Sequence, residues 1–154
     1  MINIIATGEL FVGYGVRSIG AVITEIIREA RCEIQIMAYL ITSPDFVDLL
    51  VSAAERGVSV TVVINDMQEQ PQEIREKLLY AARKFNYFVV SEFCQKYKGS
   101  LHAKVIVVDR QKAVIGSANF TKHGIESGNH EIAVLVYGSE VEKVARLIDR
   151  AVKL

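Results

Sequence analysis

The chain alternates between stretches whose apolar residues recur at helical spacing and short, nearly continuous apolar runs. From Ser18 to Ala30, the residues Ile19, Val22, Ile23, Ile26 and Ile27 fall on one helical face, and Glu33 to Ile41 follows as a buried strand. Ser43 is placed to cap a second helix, with Pro44 in its first turn and Gly57 at its end. Val58 to Ile64 reads as another strand, Pro71 opens a helix reaching about Phe85, and Tyr87 to Phe93 is strand-like. Two further apolar segments flank the polar break Asp109 to Lys112 and predict an antiparallel hairpin. Ile132 to Tyr137 precedes a last helix from about Ser139, where Glu142 completes a capping box. The sum is an α/β domain with a mixed β-sheet. Helices must flank it on both faces, because runs such as Val58 to Ile64 have no polar side to offer water.

At 154 residues, 51% of them hydrophobic and with no repeat or low-complexity tract, the chain suits a single domain, 1–154, around one core. Formal net charge is zero, which excludes a globally basic surface, so any nucleic-acid contact must be local. The best local patch is Lys96, Tyr97, Lys98 and Gly99, where two cations and a ring either track a nucleic-acid strand or form a solvated loop. Cys32 and Cys94 lack any metal-ligand spacing and read as reduced, partly buried thiols, with a disulfide open only where the fold brings them close. No run is long enough to span a bilayer, and Met1 to Ala6 is too short for the apolar region of a signal peptide. A cytoplasmic location is the expectation.

The chemistry concentrates between residues 102 and 119. His102 and Lys104 share one face of the first hairpin strand. If Val108 faces Ala113, then Lys104 lies opposite Ser117 and His102 opposite Asn119, and the four converge on an area about the size of one phosphate. A slip of one residue would send them to opposite faces. Such residue types suit a phosphodiester: cations and donors neutralise its oxygens, while a neutral imidazole attacks phosphorus.

The spacing His-x-Lys, four residues, Asp, six residues, Gly-Ser-x-Asn resembles the HKD motif of the phospholipase D superfamily. The likeness extends from Phe11–Tyr14 through Met37–Tyr39 to Gly116–Lys122, and is nearest to the small single-motif bacterial endonucleases of that superfamily. It implies a metal-independent phosphodiesterase without cofactors that works through a phosphohistidine. His102 would be the nucleophile, Lys104 and Asn119 would bind the phosphate oxygens, and Glu131 would match a further family glutamate that orients an imidazole. Ser117 either contacts phosphate or bonds within its hairpin, Lys96 and Lys98 would meet the substrate, and Asp109 and Gly116 are structural members of the motif. The scheme consumes two histidines, whereas His123 and His130 lack lysine partners. One motif is half a site, so a homodimer is implied. The substrate class expected first is nucleic acid, as a nuclease on DNA or RNA. A phospholipase D-like activity on membrane lipid is the alternative, supported by the same residues but lacking a tryptophan anchor. A non-cutting nucleic-acid-binding subunit is the third.

Overall fold

The computed structural model describes residues 1–93, 96–126 and 128–152. Four helices form where the pattern places them: α1 (Ile19–Glu29), α2 (Pro44–Glu55), α3 (Gln72–Lys84) and α4 (Ser139–Val152). The first two start at serine caps, with the Ser18 and Ser43 hydroxyls accepting the Ala21 and Phe46 N–H groups, both at 3.2 Å. Among the described residues no bond of the capping box expected at α4 is found. Glu142 lends its carboxylate to Arg110 and Arg146 instead, at 3.3 and 3.2 Å.

Eight strands form one sheet: β1 (Ile2–Thr7), β2 (Arg17–Ser18), β3 (Glu33–Ala38), β4 (Ser59–Ile64), β5 (Phe88–Glu92), β6 (Val105–Val108), β7 (Lys112–Gly116) and β8 (Glu131–Tyr137). Their spatial order is β2-β1-β8-β7-β6-β3-β4-β5. β3, β4 and β5 run parallel, while β3, β6, β7, β8 and β1 pair antiparallel in turn. The first two strands were not legible in the pattern; β1 owes its place to a full ladder with β8, from Ile2 opposite Val136 to Thr7 opposite Glu131. Helices lie on both faces. α1, α2 and α3 cover one, packing on Ile34, Ile36, Val60, Val62, Ile106 and Leu135, and α4 covers Val63, Val105, Val107 and Ala113 on the other. No helix among the described residues is long and apolar enough to cross a membrane.

The hairpin register corrects the expectation by one residue. Val108 pairs with Lys112, not Ala113. The turn closes early, with Gln111 N–H donating to the Val108 carbonyl at 3.0 Å and both Asp109 and Arg110 at positive φ, 51° and 53°. Tertiary contacts hold it there. The Asp109 carboxylate accepts the backbone N–H groups of Arg31, Cys32 and Glu33 at 3.0, 2.7 and 2.9 Å, and Arg110 bonds Glu33, Glu142 and Asp149. Lys112 thereby leaves the loop, joins β7 and meets Glu29 at 2.6 Å. Lys104 consequently faces Gly116, whose N–H donates to the Lys104 carbonyl at 3.3 Å. His102, Lys104, Ser117 and Asn119 all lie beyond the ladder's ends, so strand register does not bring them together.

Cys32 differs as well: it is exposed, because its backbone is held at the Asp109 turn, at a strand entrance outside the core. Cys94 lies outside the described residues.

Candidate active site

The site gathers at one edge of the sheet, where β6 and β8 begin and β1, β3, β4 and β7 end. The segment entering β6 is pinned from β4: buried Asn65 accepts the Leu101 N–H at 2.8 Å, fixing the residue before His102. Buried Gln70 holds the exit of β3 in the same way, donating to the Tyr39 carbonyl at 3.0 Å and accepting the Ile41 N–H at 2.8 Å. The Tyr39 ring then lies against His102, with centroids 5.1 Å apart.

His102 is exposed, whereas Lys104 is only 8% exposed. The Lys104 ammonium reaches back over the chain, with Nζ 3.0 Å from His102 Nδ1 and 2.8 Å from the His102 carbonyl. Burial pushes the Lys104 pKa down from its ordinary value, and the negative charge of Glu131 works in the opposite direction. A partly desolvated cation next to a solvent-facing imidazole is an arrangement that an anion would complete.

On the neighbouring strands, Ser117 Oγ donates to Glu131 Oε2, and its backbone N–H donates to the Ile132 carbonyl at 3.3 Å. Gly116 permits this approach. A β-carbon there would sit 2.8 Å from Ala133 Cα and from the Ile132 carbonyl oxygen, too close for any side chain. Asn119 is half-buried, and its Oδ1 is buried without a hydrogen-bond partner among the described residues. The residue after it is locked: the Phe120 carbonyl accepts the Thr42 and Ser43 N–H groups, and its ring stacks on Phe46 at 4.6 Å.

The structure thus joins His102 to Lys104 directly and Ser117 to Glu131 directly, with Lys104 within electrostatic reach of Glu131. Lys96 and Lys98 are exposed on the loop leading to His102, and Lys96 Nζ bonds Ser91 Oγ at 3.3 Å. Asp109 stands at the opposite end of β6. His130 is engaged elsewhere, its Nε2 accepting the Leu10 N–H at 3.3 Å and its ring meeting Phe11 edge-on. Asn65 and Gln70 were not among the residues singled out by motif, since they come from strand ends remote in sequence and carry no spacing signal, while Tyr39 lay within the Met37–Tyr39 stretch of the likeness but was given no role there. Among the described residues, no group of three or more His, Cys, Asp or Glu side chains is arranged to hold a metal ion.

A basic, histidine-bearing sheet edge built on a mixed sheet defines a phospholipase D-like domain. Residues 23–152 match the family described as "Cardiolipin synthase, PLD-like domain", and the chain belongs to it. Its similarity extends to the DISARM protein DrmC of Bacillus paralicheniformis, 31% identical over 99% of this chain and 63% of that protein. Cardiolipin synthase A of Buchnera aphidicola is 30% identical over 90% of this chain, which spans only 28% of that protein. The fold also matches the crystal structure of Nuc, a phospholipase D family member from Salmonella typhimurium, with a TM-score of 0.76 and 26% identity, covering 98% of this chain and 93% of Nuc.

Proposed function

We propose that this chain is a metal-independent phosphodiesterase, working as a single-domain nuclease that cleaves DNA or RNA at the interface of a homodimer. The observation that carries the reading is the exposed His102 with the buried Lys104 amino group against its ring. A ring nitrogen of His102 attacks phosphorus, forming the P–N bond as the P–O bond to the leaving group breaks. The leaving oxygen takes its proton from His102 of the second copy, which then accepts a proton from water as water displaces the phosphohistidine. Lys104 and the Asn119 amide carry the phosphate's negative charge through both steps. Glu131 orients an imidazole, and Ser117 holds Glu131 in place. The free, exposed Cys32 suits a reducing compartment such as the cytoplasm.

A lipid phosphodiesterase or phosphatidyltransferase is the second reading, favoured by the family's description and by the likeness to cardiolipin synthase A. Purified protein is incubated in excess EDTA with single-stranded DNA, duplex DNA, RNA and phospholipid vesicles, beside His102→Ala. The expected result is nucleic-acid cleavage that EDTA spares and His102→Ala abolishes. Turnover of lipid alone would replace the first reading by the second. Undiminished cleavage by His102→Ala would overturn the mechanism.

A further inference from the structure

The approach to His102 carries an exposed aromatic side chain, Tyr97, that the phosphoryl chemistry does not use. The Tyr97 ring lies 5.0 Å from that of Phe93 at an interplanar angle of 30°, and Tyr97 is 39% exposed. One face of the ring is therefore held by a second ring while part of it stays open. Lys96 and Lys98 flank it, both exposed. The loop is fastened at both ends to the close of β4, by the Phe93 N–H on the Ile64 carbonyl at 2.9 Å and the Leu101 N–H on Asn65 at 2.8 Å. Tyr97 stands five residues before His102, at most about 17 Å along even an extended chain.

A ring preset by a neighbouring ring and bracketed by cations fits a flat, π-faced group hung on an anionic backbone. Phospholipid headgroups offer the anion but no π face. Duplex nucleic acid hides its base faces in its own stack, so only unpaired bases can lie on such a ring. We propose that Tyr97, backed by Phe93 and flanked by Lys96 and Lys98, is a base-stacking subsite, and that the substrate is single-stranded nucleic acid. Tyr39, packed against His102, offers the next ring toward the phosphate under attack. This inference rests on the nuclease reading above and narrows it.

The test uses the His102→Ala protein, expected to bind without cutting, and fluorescence anisotropy with a short labelled DNA strand, the same strand carrying abasic sites, and its duplex. The base-bearing single strand should bind about tenfold more tightly than the abasic strand. Adding Tyr97→Leu should bring the two close to parity, and Tyr97→Phe should keep the preference. Equal binding of base-bearing and abasic strands, a preference for duplex, or a preference untouched by Tyr97→Leu would overturn the subsite. If the active protein cuts nucleic acid while any of those results holds, the inference falls and the nuclease reading stands. If it turns over only phospholipid vesicles, both fall.

Discussion

Replacing Asp109 by alanine removes the carboxylate that ties the β6–β7 turn to the start of β3. Three backbone N–H groups lose their acceptor, those of Arg31, Cys32 and Glu33 at 3.0, 2.7 and 2.9 Å. Bonds to a charged acceptor contribute about 1.5–3 kcal/mol net, but the two amides in exposed surroundings regain water and lose only about 0.5 kcal/mol each. The part-buried Glu33 amide loses about 1.5 kcal/mol or more. Asp109 also sits at a φ of 51°, which alanine tolerates less well by about 1 kcal/mol. Together these destabilise the fold by about 3.5 kcal/mol, or a fall in melting temperature of roughly 7–14 °C for a chain of this size. Thermal unfolding followed by circular dichroism measures it.

The loss should depend on pH in a definite direction. Burial of Asp109 opposes its ionisation, but the backbone amides of Glu33, Arg31 and Cys32, with the charge of Lys112, outweigh it and hold its pKa below the ordinary 3.8. A carboxylate lowered on folding stabilises fully above its unfolded pKa, and that stabilisation fades as pH falls through the folded value. The gap between unaltered and Asp109→Ala protein should therefore be complete at neutral pH and narrow in acid below about pH 4, leaving the pH-independent cost of the positive φ. Turnover measured well below both melting temperatures should be unchanged, because Asp109 lies five residues from Lys104 along β6, about 16 Å away. Lost turnover in a variant of undiminished stability would refute this reasoning and put Asp109 in the chemistry.

Lys104→Met keeps the buried stem but removes the charge, and should lower kcat by about 10²–10³ with little change in KM; a change confined to KM would assign Lys104 to ground-state binding. Because burial lowers the Lys104 pKa, the unaltered enzyme should lose activity on the alkaline side at a pH below the ordinary 10.5. Activity that stays flat to that point would exclude a role for the Lys104 charge. Mixing His102→Ala with Lys104→Met subunits should restore nothing beyond the Lys104→Met homodimer's residual rate, since each mixed dimer has one His102; substantial recovery would defeat the two-histidine scheme. Gly116→Ala must push a β-carbon against Ala133 and the Ile132 carbonyl, and should cost roughly 1–3 kcal/mol in chemical denaturation. A variant as stable as the parent would show that β7 and β8 can part at no cost.

The helices were legible because their information is local. Ser18 and Ser43 satisfy amides within three residues, and isoleucines at helical spacing make the buried stripe of α1. The motif was legible for a related reason, since its residues stand at short, fixed separations along one stretch of chain. Strand β1 was not, because Ile2–Thr7 is short, is interrupted by the polar Asn3 and has no clear period of its own, so it is defined by the partner beside it.

The sequence by itself therefore determined the alternation of helices and strands, the need for cover on both faces of the sheet, and the identity of the chemical groups. Only the tertiary structure decided how those groups meet. The polar break at Asp109–Lys112 is compatible with two turns one residue apart, and the choice was made by three backbone amides at residues 31–33, remote in sequence. The same holds at the site, where Lys104 and His102 touch within one segment, but Glu131, Tyr39 and Asn65 arrive from other strands. Register and convergence depend on energies between residues distant in sequence, and no local pattern encodes that difference.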